Sequence, residues 1–109
     1  MNLSANPASV AIDLNIETVA INKAAWMLRA VDHPLRQKIL QIIHSSGRIS
    51  VTDLQSSLKL SQPVVSQHLG ILRKSGFVVA SRVGRSIYYS VNYLQLKHIH
   101  RVIGDMQNR

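Results

Sequence analysis

Three groups of residues in this chain have types and spacings suited to chemistry. Gln62, Ser66 and Gly70 recur every four residues, with Pro63 and Gln67 beside them. On a helix that spacing makes one small, polar, uncharged stripe. Glutamine amides pair bidentately with adenine edges in a major groove and serine hydroxyls suit several bases, while a glycine lets the backbone approach closely. Arg73, Lys74, Arg82 and Arg85, with the hydroxyl of Ser86, form the second group. Their chemistry is that of phosphate contacts or, for an arginine at a ribbon tip, of a narrow minor groove. The third group is His98 and His100. Two nearby histidines suggest zinc, yet residues two apart on a helix diverge by about 200°, so one ion cannot take both; packed or solvated histidines are expected. His68, at the edge of an apolar stripe, is expected to be packed and hydrogen-bonded rather than a reader of bases. For any single polar residue here, plain solvation of an amphipathic helix is the alternative.

The elements that must carry these residues are legible from periodicity. Residues 1–10 mix small and polar residues and predict a flexible N-terminal tail, with residues 11–109 as one folded unit. A first helix is expected from Asp13, its apolar face running through Ile16, Val19, Ala20, Met27 and Val31, widened by Trp26 and Leu28. Asp13 and Glu17 lie in its first turns, where the helix dipole favours acids. Asp32-His33-Pro34 ends that pattern and opens a second helix from about Leu35 to Ser45, with Gly47 as its left-handed cap. Arg48-Ile49-Ser50 is long enough only for a single rung of strand. Ser50 to Asp53 resembles a capping box for a short third helix. Ser61-Gln62-Pro63 predicts a serine-capped fourth helix that runs to Ser75 and stops at Gly76. The period then changes from 3.6 to 2 over Phe77–Val83 and Ser86–Val91, joined by Gly84-Arg85, which signals a hairpin. One of Tyr88 and Tyr89 is expected to pack inward and the other to stay near the surface. Asn92 caps a last helix bearing Leu94, Ile99, Val102, Ile103 and Met106. The fold class is therefore mainly α with a small β-hairpin: α1-α2-(β1)-α3-α4-β2-β3-α5, the outline of a winged helix-turn-helix.

Composition sets the class of partner. The 109 residues, enough for one domain, hold 13 Lys and Arg against 5 Asp and Glu, a net charge of +8. Such an excess points to a polyanion, nucleic acid first and an anionic membrane surface second. Between Asp53 and Asp105 there is no acid, while Lys59, Arg73, Lys74, Arg82, Arg85, Lys97 and Arg101 fall in that interval. Cysteine is absent, which excludes disulfides, thiolate metal sites and iron–sulfur clusters. No paired carboxylates, nucleophile–base arrangement or glycine-rich phosphate loop is legible, so an enzyme is not expected, nor any cofactor. Met1 to Val10 does not read as a signal peptide and no run of 18 apolar residues exists, so a cytoplasmic protein without a membrane partner is expected.

Longer stretches bring a family into view. Asp32-His33-Pro34-Leu35-Arg36-Gln37-Lys38-Ile39-Leu40 resembles a helix opening of ArsR/SmtB-type bacterial repressors. Leu60 to Arg73 is similar to their recognition helix almost position by position, and Gly76-Phe77-Val78 with Arg82 to Ser90 completes the match. The resemblance implies a homodimeric repressor of a double-stranded DNA operator, joined through its first and last helices, with Gln62, Pro63, Ser66 and Gln67 in the major groove. It does not extend to the family's metal sites. Where one type carries cysteines in the third helix, this chain has Ser50-Val51-Thr52-Asp53. Where another carries ligands on the last helix, it has Tyr93, Gln95, Met106 and Arg109. The first and last helices also hold more apolar residues than a core this small needs on one face, and a two-fold dimer buries such a surplus.

The expectation is thus a metal-independent, sequence-specific duplex-DNA repressor acting as a homodimer. Two alternatives stand beside it: a metal- or small-ligand-gated repressor of the same fold, and a winged-helix adaptor that binds protein.

Overall fold

The computed structural model describes residues 20–108. The expected tail, the start of the first helix with Asp13, Ile16, Glu17 and Val19, and Arg109 lie outside the described residues. Within them a helix over residues 20–31 (α1) is followed by α2 (Pro34–Ser46), β1 (Ile49–Ser50), α3 (Val51–Leu58), α4 (Gln62–Lys74), β2 (Val78–Val83), β3 (Ser86–Val91) and α5 (Tyr93–Gln107). The strands form one antiparallel sheet in the order β1-β3-β2. No described helix is long and apolar enough to cross a membrane.

Side-chain caps mark the starts of α2, α3 and α5. His33 caps α2, its Nδ1 accepting from the Leu35 amide at 3.2 Å, with Pro34 in the first turn. The helix therefore opens one residue earlier than the apolar period alone indicates. Ser50 Oγ accepts from the Asp53 amide at 3.1 Å, and Asn92 Oδ1 accepts from the Gln95 amide at 3.3 Å. Ser61 departs from expectation. It occupies the cap position of α4, but its side chain makes no capping hydrogen bond. Pro63 explains the difference in part, because proline at the second helical position removes one of the two amides a cap accepts from.

The core gathers one face of every element. Met27 and Ala30 of α1, Ile39 and Ile43 of α2, Leu54 of α3, Val65, Leu69 and Leu72 of α4, Phe77, Val78 and Ile99 are all buried. Trp26 is exposed, so the widening of the α1 stripe it suggested is not used among the described residues. Leu94 and Met106 of α5 also face outward, at 78% and 56% exposure.

The end of α4 is the most fully specified corner. Gly76 has φ +84, its amide donates to the Arg73 carbonyl and the Phe77 amide donates to the Leu72 carbonyl. That pair of bonds is a Schellman stop. Three further bonds stitch this corner to the start of α5: Asn92 Nδ2 to the Gly76 carbonyl at 2.9 Å, the Asn92 amide to the Phe77 carbonyl at 2.9 Å, and Gln95 Nε2 to the Ser75 carbonyl at 2.8 Å. A Cβ at Gly76 would stand 3.0 Å from Gln95 Nε2. Gly76→Ala is therefore expected to lower unfolding free energy by about 1–2 kcal/mol from the left-handed backbone alone, with a further loss from the displaced amide. Urea unfolding of the two proteins checks this.

Candidate nucleic-acid interface

α3 and α4 are joined by Lys59, Leu60 and Ser61. Lys59 takes the left-handed conformation (φ 56, ψ 39), and its amide donates to the Gln55 carbonyl. This tight corner sets α4 across α3. Val65, Leu69 and Leu72 are buried at 0%, 1% and 0% exposure, so the orientation of α4 about its own axis is set by packing. With about 100° per residue, Pro63, Gln67 and Lys74 then stand opposite the core. Ser66 and Gly70 lie beside them, and Gln62 is turned furthest toward the core side. Gln62, Pro63, Ser66, Gln67, Arg73 and Lys74 are exposed, and a Cβ added at Gly70 would meet nothing within 4 Å. The stripe legible in the sequence is thus a real, uncovered face, but its two glutamines project along different lines.

Arg73 and Lys74 sit in the last turn of α4, where cations are favoured by the helix dipole. They are about 16–18 Å along the axis from Gln62 at 1.5 Å per residue, so base-suited and phosphate-suited groups occupy opposite ends of one helix.

The hairpin follows at once. Val83 pairs with Ser86, leaving Gly84 and Arg85 as a two-residue turn. Gly84 has φ +62 and Arg85 does not have a positive φ, the pattern of a type II′ turn that matches strand twist. Cross-strand partners share a face. Arg82 pairs with Ile87 and lies on the same face as the buried Val78 and Val91, whereas Ser86 pairs with Val83 on the other face. Arg85 thus stands in the turn and Arg82 one pair below its closing pair, while Ser86 faces the opposite side of the ribbon from Arg82. Tyr89 packs against the core. Tyr88 lies on the outer face, with the guanidinium carbon of Arg48 4.7 Å from its ring centre. Arg48 was not singled out from the sequence. Its link to Tyr88 follows from the pairing of Ser50 with Tyr88, a contact between segments some forty residues apart.

Behind α4 lies a second group that periodicity does not show. Arg36 Nε donates to the Ala30 carbonyl at 2.6 Å, its Nη2 donates to the Arg29 carbonyl at 3.0 Å, and its Nη1 lies 3.3 Å from His68 Nδ1. Gln37 Nε2 donates to the Val31 carbonyl at 2.8 Å, and the Asp32 amide donates to the Leu28 carbonyl. All four carbonyls that the end of α1 would leave unpaired thus have donors. His68 is half-buried, as expected for a core-edge residue, and its ring centre is 5.1 Å from that of His33. Burial, then the neighbouring His33 and Arg36, hold its pKa below the usual 6.5.

His98 and His100 are both exposed on α5. No three His, Cys, Asp or Glu side chains among the described residues are grouped to hold a metal ion. A shallow groove between α1 and α5 is lined by Ala24, Met27, Leu28, His98, Val102 and Met106.

A short helix pair whose second member bares a polar face, followed by an arginine-tipped ribbon, defines a winged helix-turn-helix protein. Known proteins agree. Residues 31–79 match a family model described as a helix-turn-helix domain. The transcriptional repressor PagR of Bacillus anthracis is 32% identical over 99 residues, 91% of this chain and 99% of PagR. The crystal structure of PagR superposes with a TM-score of 0.64 at 31% identity, over 79% of this chain and 98% of that one. The HTH-type transcriptional repressor SmtB of Mycobacterium tuberculosis is 38% identical over 79 residues, 72% of this chain and 58% of SmtB. An ArsR-like transcriptional regulator from Rhodococcus sp. RHA1 shares the fold, with a TM-score of 0.73 at 24% identity over 82% of this chain and 83% of that chain. The chain belongs to the ArsR/SmtB family of winged helix-turn-helix transcriptional repressors, which are regulators and not enzymes.

Proposed function

We propose that the chain is a homodimeric, sequence-specific repressor of a duplex-DNA operator and that it works without a metal. The observation that carries this is the uncovered polar face of α4 in a segment free of acids. Gln62, Pro63, Ser66 and Gln67 read base edges in the major groove. Arg73 and Lys74 at the far end of α4, with Arg82, Arg85 and Ser86 of the ribbon, hold the flanking backbone, Ser86 from the opposite face of the ribbon to Arg82.

The dimer forms through α1 and α5. Ile21, Trp26, Leu94 and Met106 leave apolar surface outside the chain's own core, and the groove between the two helices continues it. A second copy placed by a two-fold axis buries these surfaces against each other. It also sets two recognition helices about 34 Å apart, one turn of DNA. Metal independence rests on residue types: no thiol exists to occupy α3, and Tyr93, Gln95 and Met106 stand on α5.

The test is to select the preferred site from random duplexes and compare it with a scrambled duplex across a salt series. A preference for the selected site, bound by a dimer and unchanged by added zinc, is expected. Equal affinity for both duplexes defeats the proposal, and release by stoichiometric zinc replaces it with a metal-gated repressor. Within the same series Arg85→Ala is expected to weaken both duplexes alike and to reduce the salt slope by about 1, since one phosphate contact is lost.

A further inference from the structure

Among the described residues, α4 is tied to neighbouring elements at two places besides its core face. Its C-terminal end is stitched to α5 through Asn92 and Gln95 by bonds that do not titrate. Its middle is tied to the end of α1 through one side chain, because the guanidinium that closes the Arg29 and Ala30 carbonyls also reaches His68.

We propose that Arg36 is a positioning residue for the recognition helix, holding α4 to the end of α1 through an uncharged His68, so that operator discrimination falls when His68 takes up a proton. This rests on the operator-binding function proposed above. The donor inventory requires the neutral ring. Arginine carries five N–H donors and no acceptor, so the 3.3 Å contact is a hydrogen bond only if His68 Nδ1 is unprotonated and the ring proton sits on Nε2. A protonated ring sets donor against donor and places a positive charge beside the guanidinium. The charged and titratable groups facing His68 are Arg36 on α2 and His33 in the α1–α2 turn, and both oppose that charge. Arg36 itself is locked, since two of its remaining donors close the end of α1 and favour a cation there. The strained partner is therefore His68, and relief comes by moving α4.

The sign follows from the lowered pKa. A depressed histidine pKa gives stabilisation that is complete above the ordinary value of 6.5 and is lost as pH falls through the folded value below it. One linked proton limits the loss to about tenfold per pH unit.

The measurement is the ratio of affinities for the selected and scrambled duplexes between pH 7.5 and 5. A ratio cancels the general gain in DNA binding that protonated histidines bring at low pH. For the natural chain the ratio is expected to fall as pH drops through the lowered His68 value beneath 6.5, by no more than about tenfold per unit. His68→Gln keeps an oxygen acceptor for Arg36 and cannot take up a proton, so its ratio is expected to stay constant. His33→Asn retains a good cap for α2 and is expected to keep the fall. Arg36→Lys, which lacks the fork, is expected to lower the ratio about tenfold at pH 7.5, with scrambled-duplex affinity unchanged. Identical pH profiles for the natural chain and His68→Gln overturn the inference, even if Arg36→Lys proves unfolded. A flat profile in His33→Asn with a persistent fall in His68→Gln overturns it too. A natural chain that shows no discrimination at pH 7.5 overturns the operator-binding function itself, and the inference with it.

Discussion

Replacing Phe77 with alanine is expected to lower unfolding free energy by about 3–5 kcal/mol, the usual cost of emptying a fully buried phenylalanine site. The ring is 0% exposed and lies where α4 ends and the sheet begins. Its amide closes α4 and its carbonyl receives the Asn92 amide ahead of α5. Loss of the ring therefore loosens three elements at one junction. Small domains have only about 5–15 kcal/mol in total, so the urea midpoint should drop by a large fraction of its value. A loss below about 1 kcal/mol would show that the corner collapses readily around the gap.

Gln62→Ala and Gln67→Ala should each cost about 1–3 kcal/mol of discrimination between selected and scrambled duplexes, the scale of a bidentate base contact. Affinity for the scrambled duplex should hardly change, because neither residue carries charge. The two effects should differ in which base pair they relax. Gln67 stands opposite the core, and Gln62 lies toward its edge at the first residue of α4. Selecting duplexes against each variant reads this directly, as tolerance at one position of the site. Uniform weakening across all sequences from either change would remove that residue from base reading. The contrast with Arg85→Ala, where all duplexes weaken together, separates reading from gripping.

Much of the chain's organisation is legible in its residues alone. Pro34, Ser50, Gly76, Gly84 and Asn92 mark starts, stops and turns within a few residues of themselves, because caps and positive-φ positions act over one turn of chain. The switch from a period of 3.6 to 2 after Gly76 places the hairpin for the same local reason. The glutamine and serine of the α4 stripe pointed to base edges where periodicity alone leaves a solvated face, and the resemblance to a repressor family implied the major groove for Gln62, Pro63, Ser66 and Gln67. Ser61 shows the limit even of local signals: the residue type suits a cap, but the proline two positions later takes away a partner.

Residue types and their order thus determined the succession of elements, the excess of positive charge and which face of α4 stays polar. Tertiary packing decided everything that joins distant segments. It set Arg48 over Tyr88 and brought Arg36 from the start of α2 to both the end of α1 and His68. The division has a physical cause. Periodicity and capping depend on neighbours a few residues away, whereas the partner of a long polar side chain is chosen by how helices cross, and crossing is settled by the shape of the core.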